Sequence, residues 1–485
     1  MTLAPDVTEP DPTPTRTRPS AARTSPFGAL LLRLHFYAGI LVAPFLLVAA
    51  LTGLAYTFTP QLEKLVYADE LTVADPGGHV VPLAQQVAAA RAAYPAGTVT
   101  AVRPGAGDAT TQVDFTSPEL DEEHQRTVYL NPYTGAVTGQ MTTWWATTPL
   151  KTWFDDLHRN LHLGAAGRHY SEFAASWLWV ITLGGVVLWW RRHRGARTAR
   201  RLLAPELSAS KGVRRTRSWH AATGLWLTLG LLILSATGMT WSRYAGANFA
   251  AALDSLRSGT PSVSTALTGA PAAAAGGHHG GGATAAPETT VDPAVIDTVM
   301  ATARQNGVSG PVEIGVPADA ATAWTVTQTR NLWPVGRDSV AVDAAAGKVV
   351  DRVDFADWPL LAKLTRWGIN AHMGTLFGIV NQLLLAALAI GLICVIVWGY
   401  RMWWQRRPTR ADRRAVVGAP PARGAWIGLP AWGIVVGVPA VFALGWVLPL
   451  FGIPLAAFLL TDVVIGAFRR RPGSATPTSP APAGG

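Results

Sequence analysis

Uncharged apolar stretches recur along the chain at residues 34–58, 173–190, 219–241, 369–400 and 425–461. A helix needs ~20 such residues to cross a hydrocarbon layer of ~30 Å. The last stretch is too long for one crossing, and the Pro449 to Pro454 segment inside it predicts a turn between two helices. Six spans are therefore expected. Between the spans the period changes. Residues 81–94 carry the spacing of a short amphipathic helix, followed by strand-like alternation near 98–103, 110–116 and 126–131 and the turn Asn131-Pro-Tyr-Thr-Gly135. A second set runs from a helix at 292–306 through 311–316, 323–329 and 338–343 to the turn Asp343-Ala-Ala-Ala-Gly347. Gly at the end of each turn supplies the positive φ of a hairpin return.

The expected fold class is a polytopic α-helical membrane protein with duplicated pairs of spans and two small α+β modules outside the membrane. Its segments are an arm at 1–27, a first span at 28–58, an outer module at 59–157 and a second span with an outer extension at 158–190. A basic loop at 191–218 leads to a third span at 219–242. A flexible Ala/Gly linker follows at 243–290, then the second outer module at 291–366 and a fourth span with its extension at 367–400. A second basic loop at 401–424, a helical hairpin at 425–468 and a tail at 469–485 complete the chain.

Charge orients this arrangement. Only 14% of residues are charged, against about 25% in soluble proteins. The net charge of +10 comes from basic residues crowded into 191–217, 401–414 and Arg469 to Arg471. Positive charge beside short loops marks the cytoplasmic side of a cell membrane. Both termini are thus expected inside and the two modules outside, with the bilayer rather than a nucleic acid as the partner of the basic surface. The single Cys394 lies within a span, which excludes a disulfide framework or a thiolate cluster.

The spans repeat as well. His35-x-x-x-Gly39…Thr52-Gly53 in the first span has the spacing of His220-x-x-x-Gly224…Thr237-Gly238 in the third. His158, Gly164, Gly185 and Trp189-Trp190 match His372, Gly378, Gly399 and Trp403-Trp404 at one offset. A competing register would align Asn160-x-His162-x-Gly164 with Asn370-x-His372-x-Gly374 but accounts for fewer positions.

Together with Val128-Tyr-Leu-Asn-Pro-Tyr-Thr-Gly135, Leu157-His158-Arg159-Asn160, Gly167-Arg168 and His372-Met-Gly374, these motifs resemble the PepSY-associated transmembrane family over roughly residues 28–407. That family includes iron-regulated membrane proteins and haem-containing ferrisiderophore reductases. The resemblance implies PepSY-like outer modules and a ferric iron or ferrisiderophore acceptor.

Ionisable residues in or beside a span are costly and usually functional. His35 and His220 open their spans from the inner side, whereas His158 and His372 precede spans entered from outside. Haem iron with two axial ligands needs imidazoles facing one another from different helices, and a duplicated scaffold supplies one from each copy. Two b-type haems are expected, on His35/His220 and on His158/His372. His162, one turn from His158, is a further candidate as outer ligand or propionate contact. Arg159, Arg168, Arg192 and Arg217 are candidates for propionates or lipid phosphates, and Trp179 and Trp226 for an electron path. His278 and His279, in a Gly tract, are candidates for a metal site. His79, His124, His169 and His193 have no repeat partner and read as surface residues. No Gly-rich dinucleotide motif follows a strand, so the electron donor would be a protein or a quinol at the cytoplasmic side. One difficulty accompanies this reading. A continuous helix from His372 to Arg401 would rise ~43 Å, and only a break before the lipid would bring the two haem layers closer. The alternative is a membrane binding or regulatory protein whose modules take a peptide, protease or metal. A transporter is disfavoured by the scarcity of polar residues at mid-membrane beyond Asn381, Gln382 and the threonines. Asp462 reads as a residue snorkelling at the inner end of the last span.

Overall fold

The computed structural model of the chain describes residues 25–193, 203–206, 208, 211–267, 292–406 and 428–468. Most of the expected arm, the tail, part of the first basic loop, most of the second, and His278 and His279 lie outside these. Among the described residues three helices are long and apolar enough to cross a membrane: Gly164–His193, Val213–Met239 and Ile379–Gln405. A bent pair, Pro26–Leu41 and Ala43–Thr57, with 55° between its halves, makes a fourth candidate when taken as one span. Pro44 explains the bend. It has no N–H to give the Ile40 carbonyl one turn earlier, and its ring crowds that carbonyl. A backbone acceptor freed in lipid needs another donor, and the Tyr400 hydroxyl supplies it at 2.8 Å.

The terminal segment forms Ala431–Val447 and Pro449–Phe468, of which the apolar lengths are shorter than the other crossings. Among the described residues up to four helical units thus have the length and apolarity of a span. The turn falls at Leu448, before Pro449, which opens the second helix where its missing N–H costs nothing. The two helices touch at glycines: a Cβ on Gly452 would sit 2.2 Å from the Gly445 Cα. Asp462 does not reach for solvent. It is 4% exposed and pairs with Arg33 of the first span at 2.6 Å, fastening the terminal helix to the bundle beside Trp177, Phe451 and Leu455.

Neither outer extension is continuous with its span. The helix Pro149–Asn160 ends at Leu161 and His162, both at φ 55°, before Gly164 starts the next helix. Gly167 packs on this turn so closely that a Cβ would fall 1.6 Å from the Asn160 carbonyl oxygen. Likewise Leu360–His372 stops, the chain turns through Gly374 and Gly378 at positive φ, and Ile379 begins the span. The expected linker at 243–290 also begins differently. Tyr244–Ser255 is helical, as its alanines favour, and the buried carboxylate of Glu172 accepts from the Tyr244 and Ala245 N–H groups at 2.8 and 3.0 Å.

Outside the bundle stand strands β1 (Thr98–Arg103), β2 (Thr111–Thr116), β3 (His124–Leu130) and β4 (Val137–Trp144). The later half of the chain adds β5 (Val312–Gly315), β6 (Trp324–Gln328), β7 (Ser339–Asp343) and β8 (Lys348–Val353). The sequence suggests two separate modules, but the structure joins them into one antiparallel sheet of order β4-β3-β2-β1-β5-β6-β7-β8. The join is the pairing of Ala101 with Gly315 and Val102 with Ile314. One face is the shared core, where Val102, Val113, Phe115, Ile314 and Val326 pack under the helices Leu83–Ala93 and Ile296–Gln305. Those helices are also linked. The Asp297 carboxylate accepts from the Leu83 and Ala84 N–H groups at 2.8 and 3.1 Å, capping a helix that Pro82 leaves without a side-chain cap. On the other side of the sheet Arg103 bonds to Asp114 of β2 and Glu313 of β5, again across the join. Burial works against its charge, but the two carboxylates outweigh it and hold the guanidinium protonated more firmly than usual. Losing the cap in Asp297→Ala should cost ~1 kcal/mol, a fall of roughly 2–4 °C in thermal midpoint for a unit of this size. An unchanged midpoint would mean that the two helices do not depend on each other.

The sheet is fixed to the spans from both halves. Trp333 N–H donates to the Leu376 carbonyl at 2.8 Å and the Asn370 amide to the Asn331 carbonyl at 3.2 Å. In the first half the Thr148 hydroxyl reaches Glu63 and the Leu150 N–H reaches the Tyr67 hydroxyl.

Candidate functional site

Each half of the chain builds two histidine seats of one design. In the first half His158, near the end of Pro149–Asn160, lies against Ala43–Thr57 at Thr52-Gly53. Its Nδ1 is 3.0 Å from Thr52 Oγ1, and a Cβ on Gly53 would come within 3.0 Å of its Cε1. In the second half His372 lies against Val213–Met239 at Thr237-Gly238, with Nδ1 2.8 Å from Thr237 Oγ1 and Cε1 3.5 Å from where a Gly238 Cβ would be. His220 is seated on Ile379–Gln405, its Nδ1 2.9 Å from the Val395 carbonyl and its ring over Gly399. His35 is seated on Gly164–His193 over Gly184 and Gly185. Its Nδ1 is buried and falls short of a full hydrogen bond; the Ile181 carbonyl beside it holds the place that Val395 holds for His220. A Cβ at Gly53 or Gly185 would crowd the imidazole at 3.0 or 3.3 Å, whereas at Gly238, Gly184 and Gly399 it would meet the ring at ordinary contact distance.

One tautomer follows from these bonds: the Val395 carbonyl only accepts, so Nδ1 of His220 donates to it. The Thr52 hydroxyl reaches the Val48 carbonyl at 2.9 Å as well as His158 Nδ1, and the Thr237 hydroxyl reaches the Ile233 carbonyl at 2.7 Å as well as His372 Nδ1. A second atom anchoring a ring is the usual support of a metal-bound imidazole.

The halves meet so that the seats face each other. The His35 and His220 ring centroids are 6.5 Å apart and those of His158 and His372 6.4 Å apart. An imidazole nitrogen lies ~2.0–2.1 Å from a transition metal and ~1.1 Å from its own ring centre, so two rings on one metal have centroids ~6.3 Å apart. The spacing suits one metal ion held from both sides. Among the described residues no group of three or more His, Cys, Asp or Glu gathers as a metal site; two opposed imidazoles belong to a different ligand class, in which a planar macrocycle fills the remaining positions.

Space for such a plane exists beside the outer pair. A cavity of about 210 Å³ extends from His158 and His372 inward to Leu178, Leu231 and Leu392. Small residues, among them Ala49, Ala50, Ala174, Ala175 and Ser235, make its walls, while Arg159 and Arg168 stand in its lining. Arg168 donates to the Trp241 carbonyl at 2.9 Å, and Arg159 bonds Asp156 at 2.9 Å and lies over Trp144. The donor set and the glycine seats fit a bis-imidazole haem.

The two layers are closer than a continuous extension would allow. Thr237, which holds His372, is 17 residues beyond His220 on the unbroken helix Val213–Met239, a rise of ~26 Å. The break after His372 accounts for the difference.

Other candidates stand apart from the pairs. His162 is exposed on its left-handed turn and stacks on Trp153 at 5.1 Å, so the structure brings His158, not His162, to His372. Trp226 is 70% exposed and Trp179 packs against Phe451 of the terminal helix; neither bridges the layers. His124, His169 and His193 bond to Asp121, to the Ala165 carbonyl and Tyr244, and to the Trp189 carbonyl, respectively. Arg192 and Arg217 lie near each other at the opposite, basic end.

No curated protein matches the chain. The family model described as the PepSY-associated TM region matches residues 32–406, a stretch that includes every seat, both pairs and the whole sheet. The chain is a membrane protein that belongs to the PepSY-associated transmembrane family.

Proposed function

We propose that this protein is a di-haem electron carrier that moves electrons across a cell membrane to an oxidised acceptor outside, ferric iron or a ferrisiderophore. One b-type haem would be held by His35 and His220 and the other by His158 and His372. The observation that supports this most is the pairing of imidazoles at 6.5 and 6.4 Å, with Nδ1 of His158, His372 and His220 hydrogen-bonded. Bound between two imidazoles, iron supplies a one-electron couple without an open position for oxygen chemistry.

The chain's own residues do the rest. Thr52, Thr237 and the Val395 carbonyl hold ring orientation, and the carbonyl keeps the proton of His220 on Nδ1. The apolar cavity walls exclude water, and Arg159 and Arg168, beside Asp155 and Glu172 in the same lining, would be the cations available to carboxylates of a bound porphyrin. The sheet, tied to the span ends through Leu376 and Asn370, would shape the approach of the acceptor. The donor would be a quinol or a protein at the basic face. This reading takes the two halves as copies, the terminal hairpin as two further crossings for a total of six, and both termini as cytoplasmic.

Proteoliposomes test the function. With dithionite sealed inside and a ferric siderophore with a ferrous chelator outside, vesicles containing the protein should form the coloured ferrous complex faster than protein-free vesicles. Equal rates would remove the proposed activity. The anchors can be tested separately. Thr52→Val should weaken haem at the outer pair by roughly 10–100-fold, the usual cost of losing such a support, as read by haem transfer to apomyoglobin. Transfer at the wild-type rate would mean that the threonine does not position the ring.

A further inference from the structure

At the basic end of the bundle, remote from the outer cavity, Lys211, Arg215 and Arg401 line a second pocket of about 560 Å³. Trp219 and Trp398 form part of its wall with ring centroids 5.9 Å apart, and Thr216 closes its inner side, bonded to Gln405. Among the described residues no carboxylate lines it. The nearby Glu206 is engaged by Arg214 through two hydrogen bonds. Gly212, at φ 90°, caps the helix Val213–Met239 without a side-chain bond.

We infer that this pocket binds the phosphate of an anionic membrane lipid. Lys211, just before the helix Val213–Met239, and Arg215 and Arg401, from two helices, converge there on space within the ~300–1000 Å³ usual for ligand pockets. A soluble phosphate would present the same chemistry. A lipid is favoured because the pocket lies at the ends of two spans, where indole rings commonly sit at headgroup depth and basic pockets between helices take anionic headgroups. The inference stands independently of the haem proposal.

Native mass spectrometry of the full-length protein from mixed micelles tests it, with phosphatidylglycerol, phosphatidylcholine and inorganic phosphate as separate probes. The wild type should retain phosphatidylglycerol in preference to both others. The Lys211→Gln/Arg215→Gln/Arg401→Gln variant should retain it about a hundredfold less well, since each cation near a membrane contributes about fivefold. A Trp219→Leu/Trp398→Leu variant keeps the charges that set topology and should also lose retention, several-fold. Undiminished retention in the triple variant would overturn the assignment. Binding of inorganic phosphate as tight as that of the lipid would overturn the lipid as occupant. Loss of haem from the triple variant with lipid retention unchanged would reassign the cations to the porphyrin and also overturn it.

Discussion

Replacing His158 with alanine is expected to reduce the haem bound per chain from two to one, leaving His35 and His220 loaded. His372→Ala should do the same, and the double variant should lose no more than either single one. The reason is that two opposed ligands act as a unit. With one imidazole removed, the other cannot hold the second side of the iron, and the cavity between them gains room for water. His35→Ala and His220→Ala should form a second such group, removing the other haem. His162→Ala should leave the content at two, because that ring stacks on Trp153 away from the pair. Electron delivery in proteoliposomes should fall to the protein-free level in all four seat variants. Haem per chain, measured as the pyridine complex, distinguishes these groups. If His162→Ala removed a haem while His158→Ala did not, the outer ligand would be misassigned.

The second large effect concerns stability. Arg33 and Asp462 are 3% and 4% exposed and meet at 2.6 Å within the apolar body of the protein. Removing one partner strands a buried charge, at a cost of about 3–5 kcal/mol. Arg33→Leu or Asp462→Leu should therefore lower the thermal midpoint in detergent sharply and loosen the Pro449–Phe468 helix. The double variant should recover most of the loss, since apolar replacement of both partners removes the desolvation cost together with the attraction. Additive losses in the double variant would show that each residue acts through other contacts.

Much of this architecture was legible in the chain because its signals are local or periodic. Apolar runs gave the spans, alternation gave most strands, and identical offsets made His35/His220 and His158/His372 equivalent before any geometry was known. What escaped depends on residues distant in sequence. The β1–β5 join pairs Val102 with Ile314, and an edge strand carries no local mark of the strand that will cover it. β8 has only half-buried and exposed positions in alternation, a weak trace of an edge. The Arg33–Asp462 pair is formed from one charge flanking the first apolar run and another just after the last, each of which reads alone as an interfacial residue.

The supports of the histidines were visible but not interpretable. Thr52-Gly53 and Thr237-Gly238 entered as spacing marks, and only the folded helices show that they receive a ring from another helix. The breaks before Gly164 and Ile379 had a signal in Gly164, Gly374 and Gly378, all at positive φ. Hydrophobicity alone ran through them, which made the spacing of the layers look too long.

The optical spectrum of the purified full-length protein tests the paired-imidazole reading most directly. Reduced minus oxidised, it should show the bands of six-coordinate low-spin b-type haem at two per chain. A colourless protein, prepared from cells supplied with haem, would contradict it.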